Sequence, residues 1–378
     1  MSDFGRLLKY EYQKVFRRKI VWIMLAVMTA LGVLSVFVSE IGPDTALSGV
    51  LEERRVQNQE GRAISGRKID EELLGEYGSV EELPDSLYYI LNSADTFSPS
   101  DDGYDPKLLA ERFYKNRDKD ISDNNEMYLT EGERQYWEQK EKGLSRPFVY
   151  EYSGGGKLIA SMFYTMMILQ ILFTAACIPA IFSDEHMRKM SQINFCCKNG
   201  RRKLYLAKIT AGFTVNIGAF LFTSLAWVLM ALALFGADGM NGQVQLIYLN
   251  CSHHLTIGQL LGIQLCAALA MTVLYSALAM FLAEILRSGV AAMAILMGGM
   301  LLSGMINVPE QFFRVLGQIW DSFSVNFLAV WGILDNRLIP VAGRYFMQYQ
   351  IVPVVWLALA VLLVGLGYVR YDRYQVTR

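Results

Sequence analysis

What most constrains this chain is a set of six apolar runs, at residues 20–38, 158–182, 206–236, 257–283, 289–308 and 351–369. About 20 helical residues cross the roughly 30 Å of hydrocarbon in a bilayer. No run has Asp, Glu, Lys or Arg in its interior, and Lys208 and Glu284 fall at run ends. The expected fold is an all-α polytopic membrane protein with six transmembrane helices. A further apolar stretch, residues 325–334, is too short to span. Flanked by Asp321 and Asp335, it reads as re-entrant or interfacial within an extracellular segment, residues 309–350.

The net charge of −1 over 378 residues conceals two materials. Residues 40–157 hold 26 of the 36 acidic and 15 of the 35 basic residues, and the remainder is net positive. This partition, with only 19% charged residues overall, excludes a soluble globular enzyme and a disordered chain. Lys and Arg gather before the first run (Arg6, Lys9, Lys14, Arg17, Arg18, Lys19) and again in residues 183–205. Arg287 and the tail at 370–378 add further bases, whereas residues 237–256 have none. The bias of Lys and Arg toward inner loops puts both termini in the cytoplasm of a cell-membrane protein, with residues 39–157 as an extracellular domain.

Residues 1–19 repeat Phe4, Leu7, Leu8, Tyr12, Val15 and Phe16 at helical spacing, which predicts an amphipathic interfacial helix. The extracellular domain reads as mainly helical. Asp105–Pro106 and Thr130 with Glu133 are helix starts, and Ser79 with Glu82 has the same form. Residues 147–152 alternate like a strand, and Gly154, Gly155 and Gly156 read as a flexible joint.

Nothing in the sequence supports catalysis. Gly154–Lys157 lacks the first glycine and the Ser/Thr of a phosphate loop. His253 and His254 beside Cys251 lack further spaced ligands for a metal. The vicinal Cys196 and Cys197 read as small membrane-proximal side chains, and Asp101, Asp102 and Asp105 are too closely spaced for a calcium loop. Within the spans the polar residues are neutral, among them Gln170, Asn216 and Gln264. Ion-driven carriers keep an ionisable group at that depth, so energy for any uphill transport must come from outside the chain. Gly298, Gly299 and Ser303 form a small-residue stripe on the fifth run, suited to close helix packing.

The segments Ile181-Phe-Ser-Asp-Glu185, Asn199-Gly-Arg-Arg-Lys203, Ala207-Lys208 and Ala283-Glu-Ile-Leu-Arg-Ser288, with the order of spans around them, resemble the permease subunits of type-2 ABC exporters. The resemblance implies that residues 183–205 form a coupling loop, with Glu185 and a helix to about Cys197 as the coupling helix, and that Asp184, Glu185, Arg188, Lys189, Gly200, Arg201 and, just beyond the loop, Lys208 meet an ATP-binding partner subunit. Glu284 and Arg287 would belong to a second cytoplasmic turn. It implies a homodimer or heterodimer with a second permease, contact with membrane lipids and none with nucleic acid. ATP and Mg would be bound by the partner, this chain having no cofactor and no ATPase site of its own. The expected substrate is hydrophobic or amphipathic: a peptide antibiotic, a lipid or a drug. A reading from another class is a non-transporting membrane sensor or immunity protein with a peptide-binding extracellular domain.

Overall fold

The computed structural model describes residues 3–38, 47–97, 103–188, 190, 201–306, 308 and 310–373. Helix dominates throughout. The chain opens with α1 (Asp3–Phe16) and α2 (Lys19–Val38), whose axes bend by 65° between them. A domain between α2 and α8 follows, built from α3 (Leu47–Ala63), α4 (Glu71–Leu74), α5 (Asp85–Asn92), α6 (Pro106–Tyr128) and α7 (Glu131–Glu141). Then come α8 (Gly154–Cys177), α9 (Ala180–Met187), α10 (Arg202–Phe235), α11 (Ile257–Leu286) and α12 (Gly289–Met305). After these lie α13 (Glu310–Phe323), α14 (Val330–Ile333), strands β1 (Leu338–Val341) and β2 (Arg344–Met347), and α15 (Gln348–Asp372).

Among the described residues, four helices are long and apolar enough to cross a membrane: Gly154–Met187 taken through α9, then α10, α11 and α15. The bent pair α1–α2 makes a fifth if counted as one span. The run at 289–308 gives only the 17 residues of α12, about 25 Å of helix. Ser288 caps its start by accepting from the Ala291 N–H. At its other end Pro309 disfavours helical backbone in the residue before it. Six full-length spans are therefore more than the helix lengths give.

Helix α11 occupies the middle of the bundle, packed against α8, α10, α12 and α15. It starts at a capping box in which Gln259 Oε1 accepts from the Thr256 N–H at 3.0 Å and Thr256 Oγ1 from the Gln259 N–H at 3.3 Å. The break between α8 and α9 falls at Pro179, which has no N–H to continue the ladder. Helix then resumes to Met187, so Asp184 and Glu185 are helical.

The glycines expected to form a flexible joint are instead the first turn of α8. A Cβ on Gly155 would come within 2.3 Å of the Gly236 carbonyl oxygen, and one on Gly156 within 2.6 Å of Ile257. Close approach between helices is what requires glycine there.

The domain between α2 and α8 has its own apolar core, including Ile69, Leu74, Leu87, Leu91, Phe113 and Phe148. Leu246 and Leu249, from the connection between α10 and α11, complete it. Asp105 caps α6 through the N–H groups of Lys107 and Leu108. Glu133 accepts the Thr130 N–H at 2.8 Å at the start of α7. The box expected at Ser79 does not form, because Glu82 takes the Gly78 N–H at 2.7 Å and a single 3-10 turn results. Residues 147–152 are extended, with Ile69 N–H donating to Phe148 O at 2.8 Å and Tyr150 N–H to Arg67 O at 2.7 Å.

Residues 325–334 form a 3-10 turn followed by α14, with Phe327, Leu328 and Ile333 buried. Gln264 Nε2 on α11 donates to Leu328 O at 3.0 Å, which satisfies a carbonyl freed by the break. The all-α expectation needs one amendment, the hairpin β1–β2. Its two-residue turn, Ala342 and Gly343, has positive φ at both positions (48° and 78°), the geometry that matches strand twist in tight hairpins.

Candidate functional site

The basic end of the bundle holds a chain of buried charges. Glu185 of α9 lies between two cations: Lys14 Nζ of α1 is 2.7 Å from Oε1, and Lys208 Nζ of α10 is 3.0 Å from Oε2. Lys208 also donates to Ile181 O at 2.9 Å and lies 5.0 Å from the centre of the Phe182 ring. Its side chain is 1% exposed. A lysine so buried is tolerated only with its charge paired and its donors used. Arg18 pairs with Asp184 and donates to Ala180 O at 2.9 Å. His186 Nε2 is 2.9 Å from Glu284 Oε2 of α11. One short helix is thus tied to α1, α10 and α11 at once.

Among the expected coupling residues, this arrangement gathers Asp184, Glu185, Lys208 and Glu284. Glu185 faces the chain's own cations, with its side chain 9% exposed, so its carboxylate is no docking charge. Arg188 is exposed at the end of α9. Arg201 donates to Asp372 O at 2.6 Å, tying the start of α10 to the end of α15. Arg287 takes a left-handed conformation, φ 54°, closing α11. Lys189 and Gly200 lie outside the described residues, as do Cys196, Cys197, Asp101 and Asp102. The sequence places Lys14 and Arg18 among the bases before the first run, within the expected interfacial helix at 1–19, and does not single out Glu11. The i, i+4 spacing of Lys14 and Arg18 was the available signal for a shared face.

At the opposite end the acidic domain is clamped in three places, to the end of α10, to the connection between α10 and α11, and to α13 with β1. From α3, Asn58 Nδ2 donates to Leu234 O at 2.9 Å and Arg62 Nη2 to Phe235 O at 3.1 Å. These satisfy the last carbonyls of α10, which have no intrahelical donor. The fully buried Arg117 of α6 donates to Leu249 O and Cys251 O, both at 3.0 Å, and to Glu141 Oε1 at 2.6 Å. Ser252 Oγ donates to Glu141 Oε2 at 2.6 Å. Burial alone would raise the Glu141 pKa, but the bonds from Arg117, Ser252 and Arg146 hold it down at about 2. The third contact is Glu133, whose Oε1 accepts the Leu338 N–H at 2.8 Å and an Arg314 N–H at 2.7 Å. Beside these contacts, a cavity of about 800 Å³ opens between α6 and α7, with Ile121, Trp137, Glu138 and Ser252 in its wall.

Between the two ends, Gln170 and Asn216 meet at membrane depth. Gln170 Nε2 donates to Asn216 Oδ1 at 3.0 Å, and Asn216 Nδ2 donates to Ser276 Oγ at 2.6 Å. This neutral node joins α8, α10 and α11 as interhelical polar glue. Gln264 stands apart, on Ala160 O and Leu328 O.

The small-residue stripe has a different place from a packing face within the chain. A Cβ on Gly298 or Gly299 would meet nothing within 4 Å, and the buried face of α12 is Ala292, Leu296 and Met300. Ser303 donates to Met300 O in its own helix. The glycines that do admit a neighbour are elsewhere: a Cβ on Gly32 would fall 1.4 Å from Trp227, and one on Gly212 would fall 2.4 Å from Met280 Sδ.

His253 Nε2 lies 3.2 Å from Leu334 O and His254 Nε2 lies 2.7 Å from Lys140 O. Among the described residues no three His, Cys, Asp or Glu side chains converge to hold a metal. No protein-family model, curated protein or solved structure matches the chain.

Proposed function

We propose that this chain is the permease subunit of an ATP-driven ABC exporter that moves a hydrophobic or amphipathic substrate across the cell membrane. The observation that carries this reading is the linkage at the basic end. A force applied beyond α9 reaches α1 and α10 through Glu185, and α11 through His186 and Glu284. Rigid helices joined by short ion pairs move together, which is what a separate motor needs in order to act on the bundle. In this arrangement α1–α2 is the bent first span and α12 the short fifth of six, with both termini on the cytoplasmic side. The exposed Arg188, with Lys189 and the segment after it, is where the ATP-binding subunit docks, while Glu185 positions that surface. A second permease approaches the open Gly298–Gly299 face of α12. Purification of the chain from its native membrane tests the reading. Co-isolation of a subunit carrying a nucleotide-binding cassette is expected, and a chain that isolates alone and binds no ATPase contradicts it.

The cavity between α6 and α7 favours a second reading, a sensor that captures a peptide without transport. That reading predicts peptide binding to the purified chain with no stimulation of any ATPase.

A further inference from the structure

Helix α13 sorts its residues onto two faces. On one, Arg314 donates to Glu133 Oε1 of α7 at 2.7 Å, and Asp321 accepts from Arg337 Nη2 at 3.0 Å. These two positions are seven apart, about two helical turns, and so share a face. Gly317, between them on that face, is buried. On the opposite face stand Val315, Leu316, Ile319 and Phe323, at helical spacing. Val315 is 69% exposed, Leu316 and Ile319 are each more than half exposed, and Phe323 is exposed too. At the flank, Trp320 Nε1 donates to Ile306 O at 2.8 Å, and Asn326 Nδ2, just beyond the helix, donates to Gly304 O at 3.2 Å. Both carbonyls belong to the end of the apolar α12, where Leu301 and Met305 are exposed in turn.

We infer that α13 is an interfacial helix, with Val315, Leu316, Ile319 and Phe323 sunk into the hydrocarbon edge of the leaflet at the acidic-domain end of the bundle. A contiguous exposed apolar face marks a contact with a membrane or with another protein. Three observations favour lipid. The face continues the exposed apolar end of α12. Trp320 at its flank has the amphipathic ring that settles at headgroup level. A protein partner would need a rim of free polar groups, whereas Arg314 and Asp321 are spent inside the chain. Arg314 is also the one base of α13, so the helix is held by hydrocarbon rather than by anionic headgroups. The leaflet thereby supports the acidic domain, which stands on the polar face of α13 through Glu133. The inference rests on the apolar helices crossing a bilayer and not on the transport reading, and either can fail alone.

The test uses the full chain in phosphatidylcholine vesicles, with Cys177, Cys196, Cys197, Cys251 and Cys266 replaced by Ala and a nitroxide attached at Ile319→Cys. Collision of the label with oxygen, which partitions into hydrocarbon, is compared with its collision with a nickel chelate, which stays in water. The oxygen-to-nickel ratio at Ile319 should approach that of a label at Leu357, exposed on α15, and stand well above that at Asn124, exposed on α6. Adding phosphatidylglycerol should leave the ratio unchanged, because α13 has no free base to sense lipid charge. A ratio equal to that at Asn124 would place the face in water and overturn the inference. A label shielded from both reagents, with dipolar broadening between labels, would place a second copy there and overturn it too. So would entry into hydrocarbon only when phosphatidylglycerol is present. A second measurement keeps the native cysteines: benzoylphenylalanine in place of Val315, irradiated in the same vesicles, should give a lipid adduct by mass. A cross-linked pair of chains in its place would contradict the inference.

Discussion

Replacing Glu185 with Ala would leave the ammonium groups of Lys14 and Lys208 without their shared counter-charge. Removing one partner of a buried pair costs about 3–5 kcal/mol, and because Lys14 is 41% exposed the lower figure, about 3 kcal/mol, applies here. Denaturation in micelles should show that loss, and Glu185→Ala combined with Lys208→Met should recover more than half of it. A loss of about 0.5 kcal/mol or less, the usual range for an unremarkable surface change, would contradict the buried linkage. Glu185 was legible from the sequence as a charge at the end of a span. Its partner Lys14, 171 positions away, was not, because tertiary pairing leaves no local pattern. Arg117 and Glu141 were hidden for a related reason, since charges in an acidic block look like solvated surface. His253 makes a second prediction at this scale. Burial against Trp137 and Tyr349 drives its pKa down to about 4, with Leu334 O acting in opposition and His254 and Lys140 adding repulsion. The unfolded chain binds that proton near pH 6.5. Stability should therefore be full above about pH 6.5 and fall as pH drops from there toward 4. Glu141, held near 2, adds its own loss only below the ordinary carboxylate range, about pH 4.5. Thermal midpoints of His253→Gln and the parent should diverge in slope between pH 7 and 5, and parallel slopes would contradict the assignment.

At the scale of elements, two glycine substitutions separate packing within the chain from packing between chains. Gly32→Leu drives a side chain into Trp227 across the α2–α10 contact, and overpacking of this kind costs about 1–3 kcal/mol or more. At Gly299 a Cβ meets no described atom within 4 Å, so for Gly299→Leu the thermal midpoint should hold while self-association measured by light scattering weakens. A fall in midpoint with association unchanged would reverse this assignment. The apolar runs, the caps at Asp105 and Thr130, and the broken segment at 325–334 were readable because run length and local hydrogen bonding decide them. Gly154 to Gly156 misled, since three glycines have the composition of a linker, whereas close neighbours are what require them, the Gly236 carbonyl at Gly155 and Ile257 at Gly156. The hairpin β1–β2 escaped notice because two four-residue strands give too short an alternation to register.

For the whole molecule, the clamps on the acidic domain and the ion pairs at the basic end fasten opposite ends of α10. Arg117→Met would take the side-chain donor from the Leu249 carbonyl, leave the Cys251 carbonyl on a longer bond from Gln245 Nε2 at 3.4 Å, and remove one of the guanidinium partners of Glu141. A cost of about 3 kcal/mol is expected, together with faster protease cleavage of the connection between α10 and α11 in micelles. Unchanged cleavage would mean that the domain is held by its apolar core alone. The proposed permease role lies at the other end, with α9 as the element that would pass force from an ATP-binding subunit into the bundle. Arg188→Glu with Lys189→Glu reverses charge at the exposed end of α9 while leaving Glu185 and its partners in place. The decisive measurement is co-purification of the ATP-binding subunit with this variant, alongside its membrane expression and thermal midpoint. Expression and midpoint should match the parent while recovery of the ATPase falls at least about tenfold, as for a lost interfacial charge contact. Recovery of the ATPase at the parental level would contradict the account.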